Sequence, residues 1–454
     1  MVRARERQEA LEKWQAEQRI LTRREIIKEQ AARSVRARVE TRRIQMWSCI
    51  REMMDENIVT RLEPGRTRIP ISVPSYEVAE IMEALDSLTS GWVTMGARVK
   101  RFEEMWAEYN GVRHGVMVNS GSSANLLALS ALGLKPGDEV ITPALTWATT
   151  VFPIAQVGAV PVLVDVDPGT YNIDPHAVEA AITPRTRAIM LVHLLGNPCD
   201  MDKLRDVARR QNLYLVEDAC EAHGAEYDGK KAGSFGDVST FSFFFSHHIS
   251  TIEGGMVMTN DSGWADVCRS MRAHGWIRDL PEGQRSEVAA QHPDIDPRFL
   301  FLNPGYNFRP TEIQGAFGIH QVPRLEGFIE RRRQNAAYFN KMLAPYQDFL
   351  QLPSEAKNTR HSYFAYAITV KKGAPFTKQA LVAHLESRGL ETRPIESGNM
   401  AAQPAMKRLN YRAGPLKNTE HIHKNGFFFG VHQGIGPEER EAVAGYFKEF
   451  FEAL

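Results

Sequence analysis

The sequence predicts an α/β protein: a mostly parallel sheet covered by helices on both faces, followed by a smaller α+β C-terminal part. Three observations carry this. Short apolar runs recur from about residue 115 to 218 with helix-like stretches between them, the pattern of strands buried on both faces. Several of those runs end in polar or acidic residues, where an open α/β sheet places its ligand groups. Beyond residue 324 the alternation gives way to a long charged helix and an aromatic-rich strand. The 454 residues are 43% hydrophobic, ample for a large core.

Residues 1–65 form a charged helical N-terminal extension. Positions 1–46 contain no Gly or Pro, and their 13 Lys/Arg against 7 Glu leave an excess of six positive charges. Leu11, Trp14 and Leu21 sit at helical spacing on a thin apolar stripe. A solvated helix and a docking arm for another subunit or an anionic surface both fit this pattern. Leu62-Glu63-Pro64-Gly65 breaks the helix.

Residues 66–323 read as the large domain. Gly115–Asn119 is a strand, followed by Gly121-Ser122-Ser123 and a helix with a Leu126-Leu127-Leu129 face. Val140-Ile141 leads into Pro143 and a second helix, and Val160–Asp165 follows it. Ile189–His193 and Leu213–Asp218 are the next strands. Residues 324–454 read as a small C-terminal domain. It opens on a helix over 324–344, and a strand over Ser362–Val370 and a helix at about 377–388 follow.

Lys+Arg and Asp+Glu balance at 55 each, so no global field points to nucleic acid or membrane. No apolar run approaches the roughly 20 residues of a bilayer span, and the N-terminus has no apolar signal core. The four cysteines, Cys49, Cys199, Cys220 and Cys268, form no CxxC pair, which fits free thiols in a reducing cytoplasm.

Four motifs carry chemistry. Asn119-Ser120-Gly121-Ser122-Ser123-Ala124-Asn125 lies between a strand and a helix, where free N–H groups and a positive dipole attract phosphate. A plain N-cap is the competing reading. Val216-Glu217-Asp218-Ala219-Cys220-Glu221 puts two carboxylates at a strand end. Pro143-Ala144-Leu145-Thr146-Trp147 offers a large flat aromatic face. Ser242-Phe243-Phe244-Phe245-Ser246-His247-His248-Ile249 precedes Glu253-Gly254-Gly255.

In that order, and together with Asn303-Pro304-Gly305-Tyr306-Asn307-Phe308-Arg309-Pro310, these stretches resemble the DegT/DnrJ/StrS family of pyridoxal-phosphate (PLP) sugar aminotransferases. The resemblance runs from about Arg68 to the C-terminus. It implies the PLP-dependent aminotransferase fold of type I, with Gly121, Ser122 and Ser242 at the cofactor phosphate and Asp218 at the pyridine nitrogen. Trp147 stacks on the ring, Glu221 stands where many relatives carry Gln, and Asn307 reaches the phosphate across a homodimer interface.

His247 stands where that family has its cofactor lysine. An amine forms a Schiff base with PLP; an imidazole moves only protons. Within the family a histidine here resembles the branch of nucleotide-sugar 3-dehydratases, as do Glu391–Asn399 and Lys424–Gln433. That resemblance implies PLP/PMP (pyridoxamine phosphate) chemistry with L-glutamate as amino donor. It implies a nucleotide-linked 4-keto-6-deoxy sugar as substrate and His247 as acid/base. The branch also contains enzymes with an iron–sulfur cluster and a reductase partner. Here only Cys268 falls in the cluster region, so no cluster and no metal are expected. His274 and Arg278, four apart, would share one face if this stretch is helical; with Arg393 they are candidates for binding the glutamate carboxylate or the sugar phosphates. Two further readings stay open: reductase-dependent 3-deoxygenation of a CDP-linked sugar, and a silent PLP-binding regulatory protein.

Overall fold

A computed structural model of the chain describes residues 2–57 and 67–454. The side chains of Leu11 and Trp14, and the Leu62-Glu63-Pro64-Gly65 breaker, lie outside the described residues. Two compact units are present, residues 1–59 and 60–454. The first is one uninterrupted helix, Val2–Asn57, as the absence of Gly and Pro allows. Its apolar residues do not form a continuous stripe; Leu21, Val35, Val39, Ile44 and Trp47 are exposed.

The second unit is built on an eight-stranded sheet. Across the sheet the strands run His114–Val118, Gly255–Thr259, Val238–Ser242, Tyr214–Asp218, Thr186–Val192, Glu139–Pro143, Val160–Val164 and Arg412–Ala413. Only Gly255–Thr259 is antiparallel to its neighbours. Most of these strands are buried along their length, which is why they read as continuous apolar runs. Helices cover them, including Gly121–Ala131, Ala148–Gln156 and Ser262–Arg272. Separate apolar clusters lie around Trp106, Phe241 and Phe243, and around Leu127, Val140 and Met190.

A four-stranded sheet, Leu350–Gln351, Tyr366–Val370, Gly426–Phe429 and Thr392–Pro394, carries its own core of Phe339, Tyr366, Phe427, Phe429 and Phe447. The long helix is Leu325–Leu343, as its sequence indicates. The expected strand over 362–370 starts only at Tyr366. Tyr363 is left-handed, with φ of 50°, and this breaks the extended run. The C-terminal part is not confined to the small sheet, because Arg412–Ala413 forms the outer edge of the large one beside Val160–Val164.

Candidate active site

The carboxyl end of Tyr214–Asp218 is the centre of the site. Asp218 is buried, and its Oδ2 accepts hydrogen bonds from Asn125 Nδ2 (2.9 Å) and Thr150 Oγ1 (2.8 Å). Thr240 Oγ1 donates to Asn125 Oδ1 at 2.5 Å, and Thr146 Oγ1 donates to Thr150 Oγ1 at 3.0 Å. Two polar side chains therefore hold this carboxylate directly, and two more fix those in place. A second carboxylate oxygen, Oδ1, accepts from the Cys220 amide. Buried polar groups need such partners, and a carboxylate held this rigidly can face a protonated ring nitrogen.

Trp147 precedes the helix Ala148–Gln156 as its N-cap residue. Thr146 beside it is buried, yet Trp147 is 57% exposed, so its indole presents a free face. An exposed large aromatic next to buried polar groups is a stacking platform.

The helix Gly121–Ala131 begins beside Ser242. Its cap is Ser120, whose hydroxyl accepts from the Ser123 amide at 3.1 Å. The capping role thus falls on Ser120, and Ser122 keeps an exposed side chain at the second helical position. A Cβ on Gly121 would come within 2.5 Å of Ser242 Cβ and 2.8 Å of its Oγ. A Cβ on Gly255 would come within 2.2 Å of the Ser120 carbonyl oxygen. Both glycines let the helix N-terminus close on the end of Val238–Ser242, forming a cradle of N–H groups and hydroxyls suited to a phosphate.

His247 lies in the turn after that strand. Its ring packs 5.2 Å from Phe364 and 5.9 Å from His223, centroid to centroid. Its Nδ1 is buried and has no hydrogen-bond partner among the described residues, though the residue retains part of its exposure. Burial, and then the Arg332 guanidinium, push its pKa down to about 3. Arg332 is itself fully buried, and its Nη1 donates to the Phe364 and Tyr363 carbonyls at 2.9 and 3.3 Å. His248 is buried, with its Nε2 3.0 Å from the Ser362 carbonyl, and burial holds it well below the usual imidazole range. It is part of the support rather than of the open face.

Glu221 is buried three residues beyond Asp218 and accepts the Leu195 amide at 2.7 Å. Burial, and then the charge and hydrogen bond of Glu396, raise its pKa well above the carboxylate range; Glu396 is raised too, chiefly by burial. One proton shared between the two carboxyls is the arrangement this favours. Leu195 and Glu396 are both left-handed, with φ of 54° and 47°, so two conformationally costly residues converge on Glu221.

The remaining residues fall around this centre. Asn307 is exposed; its Oδ1 accepts from Arg309 Nε at 3.1 Å, and the Phe308 carbonyl next to it accepts the Asn119 amide of the phosphate turn. His274 and Arg278 do not share a helical face. The helix Ser262–Arg272 ends before them, and His274 and Gly275 are both left-handed. What brings them together is Trp276: the His274 ring lies 5.1 Å from the indole and the Arg278 guanidinium 4.9 Å over it. Arg393 is exposed on Thr392–Pro394 and pairs with Glu391 at 3.0 Å. Asn125, Thr150, Glu396 and Arg332 complete the site without having been singled out in the sequence. Arg332 had a signal, since Ile329, Arg332, Ala336, Phe339 and Leu343 keep the spacing of one buried helical face.

Among the described residues no group of three or more His, Cys, Asp or Glu stands at metal-binding geometry, and no helix is long and apolar enough to cross a membrane. The residues present fit PLP. The glycine-lined cradle matches its phosphate, Asp218 its ring nitrogen and the Trp147 face its ring.

This is the fold of the PLP-dependent aminotransferases. The chain belongs to the DegT/DnrJ/EryC1/StrS aminotransferase family, whose model matches residues 74–448. It is 42% identical over 374 residues to the GDP-4-keto-6-deoxy-D-mannose 3-dehydratase of Yersinia pseudotuberculosis, covering 80% of this chain and 94% of that one. Among solved structures it resembles the Escherichia coli GDP-4-keto-6-deoxy-D-mannose-3-dehydratase with bound hydrated PLP. That likeness has a TM-score of 0.79 at 37% identity, over 84% of this chain and 99% of the other. The structure of a GDP-4-keto-6-deoxymannose-3-dehydratase with a trapped PLP-glutamate geminal diamine matches with a TM-score of 0.78 at 36% identity, over 83% and 99%.

Proposed function

We propose that this chain is a PLP/PMP-dependent 3-dehydratase of a nucleotide-linked 4-keto-6-deoxyhexose, coupled to L-glutamate. The observation that carries the reading is His247, an imidazole held neutral where an aminotransferase keeps its lysine. The relatives named as GDP-4-keto-6-deoxymannose 3-dehydratases support a GDP-linked substrate.

In the overall reaction glutamate is oxidised by two electrons to 2-oxoglutarate and C3 of the sugar is reduced by two. The C3–O bond breaks, ammonia is released, and a 3,6-dideoxy-4-keto sugar nucleotide results. The bound cofactor supplies the amine that carries nitrogen and an electron sink for carbanions. The protein supplies the rest. Asp218, fixed by Asn125 and Thr150, keeps a negative charge at the ring nitrogen. Gly121, Ser122 and Ser242 hold the phosphate, and Trp147 holds the ring flat.

His247 moves the protons. With its pKa pushed down to about 3, it is an unprotonated base at neutral pH. Once it has accepted a proton it is a strong acid, ready to protonate the departing C3 hydroxyl. The low pKa thus serves the second transfer more than the first. Arg332, behind the Phe364 backbone, opposes the imidazolium form and so favours that donation. Glu221 and Glu396 keep one shared proton beside Asp218, limiting the negative charge there.

A second copy of the chain completes the site in this reading. Asn307 is exposed on the described chain, so its amide is open to a second copy. Cys199 and Cys268 sit in different apolar clusters, which supports a mechanism without an iron–sulfur cluster.

The test is turnover of GDP-4-keto-6-deoxymannose with L-glutamate. Stoichiometric 2-oxoglutarate, ammonia and 3-deoxygenated product are expected, with all three lost in His247→Asn. A 4-amino sugar as the product would overturn the reading.

A further inference from the structure

Away from the residues assigned to the cofactor, the small sheet carries a cavity of about 1050 Å³. It lies between the loop after Tyr366–Val370, the start of the helix Lys378–Ser387 and the end of the helix Lys417–Asn425. Its size is that of a small-molecule site. Lys371, Lys372, Lys378, Lys424, His421 and His423 line it, and Glu396 is the one carboxylate in the lining. Glu396 is already engaged with Glu221, and burial, with the Asp218 charge beside it, raises its pKa, which weakens it as a counter-charge.

The cations are poorly neutralised by the protein. Lys378 Nζ is half-buried and reaches only the His423 and Gly426 carbonyls, at 3.4 and 3.5 Å. Lys378 is also the first residue of its helix, where the dipole disfavours a positive charge. Lys371 Nζ finds one carbonyl, that of Gln347, at 2.6 Å. Lys424 alone has a carboxylate partner, Glu420 at 2.8 Å. Burial lowers the pKa of Lys378, and burial, then the charge of Lys372, lowers that of His421.

We propose that this cavity is a binding site for a diphosphate-bearing small molecule. A diphosphate supplies the negative charge that Lys371, Lys372 and Lys378 do not receive from a carboxylate in the lining. Phe376 and Pro394 give the walls an apolar part against which an organic group can lie. Two sources share this chemistry. One is the diphosphate of the sugar nucleotide itself, which rests on the function proposed above; the other is a separate phosphorylated ligand. Either would press on the segment Glu396–Gly398, which joins the cavity to the cofactor site. Glu396 pairs with Glu221, and the Met400 amide bonds the Ala144 carbonyl three residues before Trp147.

The test is calorimetric titration of the PLP-loaded full chain with sodium pyrophosphate, with hydrogen exchange read on residues 371–378 and 417–425. Loading with PLP keeps the probe out of the cofactor's phosphate cradle. One pyrophosphate per chain with protection of both segments is expected, weakened at least tenfold in Lys372→Glu/Lys378→Gln. Lys372→Arg should retain binding, which separates lost charge from a damaged fold. If GDP displaces pyrophosphate and is itself weakened by the double variant, the site takes the substrate's diphosphate. If GDP binds elsewhere without competing, it takes a separate ligand. No binding, no protection of the two segments, or an unchanged affinity in the double variant overturns the proposal. Because the readout is binding and not turnover, this result is independent of whether the chain proves to be a 3-dehydratase.

Discussion

Gly121→Ala tests whether the phosphate cradle depends on the close approach of two elements. Gly121 has no positive φ, and Ala is the better helix former, so the backbone itself does not resist the change. The obstacle is Ser242. The added methyl would lie 2.5 Å from Ser242 Cβ, 2.8 Å from Oγ and 3.1 Å from Cα. Ordinary carbon contacts lie at about 3.5–4.0 Å, so the helix N-terminus must retreat by roughly 1 Å. Overpacking of this kind costs about 1–3 kcal/mol. The retreat also spoils a hydrogen bond to the cofactor phosphate, and hydrogen bonds to charged groups are worth about 1.5–3 kcal/mol. PLP affinity should therefore fall roughly 10- to 150-fold. Titration of apoprotein with PLP, followed by absorbance and tryptophan fluorescence, reads the affinity, and thermal unfolding of the apoprotein reads the packing cost. Unchanged affinity and unchanged stability together would refute the cradle.

Three further outcomes are expected. Asp218→Asn should keep the Asn125–Thr150 scaffold but lose the charge at the ring nitrogen, slowing the glutamate half-reaction by about 10- to 100-fold in stopped-flow absorbance. Trp147→Ala, at a 57% exposed position, should weaken PLP about tenfold and leave the apoprotein's unfolding midpoint in place. The third concerns acid. His361 and His432 are buried, and burial pushes the pKa of each down to about 3. The unfolded chain takes up protons near pH 6.5 that the folded chain refuses, so this stability is present above that pH and is lost as pH falls. From pH 7.5 to 5.5 each costs about 1.4 kcal/mol. The proton shared by Glu221 and Glu396 acts in the opposite sense, favouring the fold on acidification. His432→Gln isolates one histidine, and its urea-denaturation loss between those pH values should be smaller than that of the parent by about 1.4 kcal/mol.

The sequence made visible what depends on neighbours along the chain. Asp218 stands out because an apolar run ends on it, Trp147 because it offers a flat aromatic face where the resembled family stacks one, and Gly121 because it lies between strand and helix. The Leu325–Leu343 helix follows from its periodicity. Contacts between distant segments were less accessible. Glu396 meets Glu221 through a left-handed turn that no local pattern marks, and Arg332 hides in a run of charges of which it alone enters the core. His274 and Arg278 mislead by spacing, because the helix ends at Arg272 and Trp276 gathers them instead. The edge strand Arg412–Ala413 is two residues long, too short for alternation to reveal.

The central claim is that His247 lets glutamate react with a cofactor that no lysine holds. The most direct measurement is an absorbance scan of the purified protein with PLP, before and after L-glutamate. The free-aldehyde band should fall, the PMP band rise, and 2-oxoglutarate appear, with no such change in His247→Asn. Bound PLP that ignores glutamate, or a His247→Asn variant that responds as the parent does, would contradict that claim.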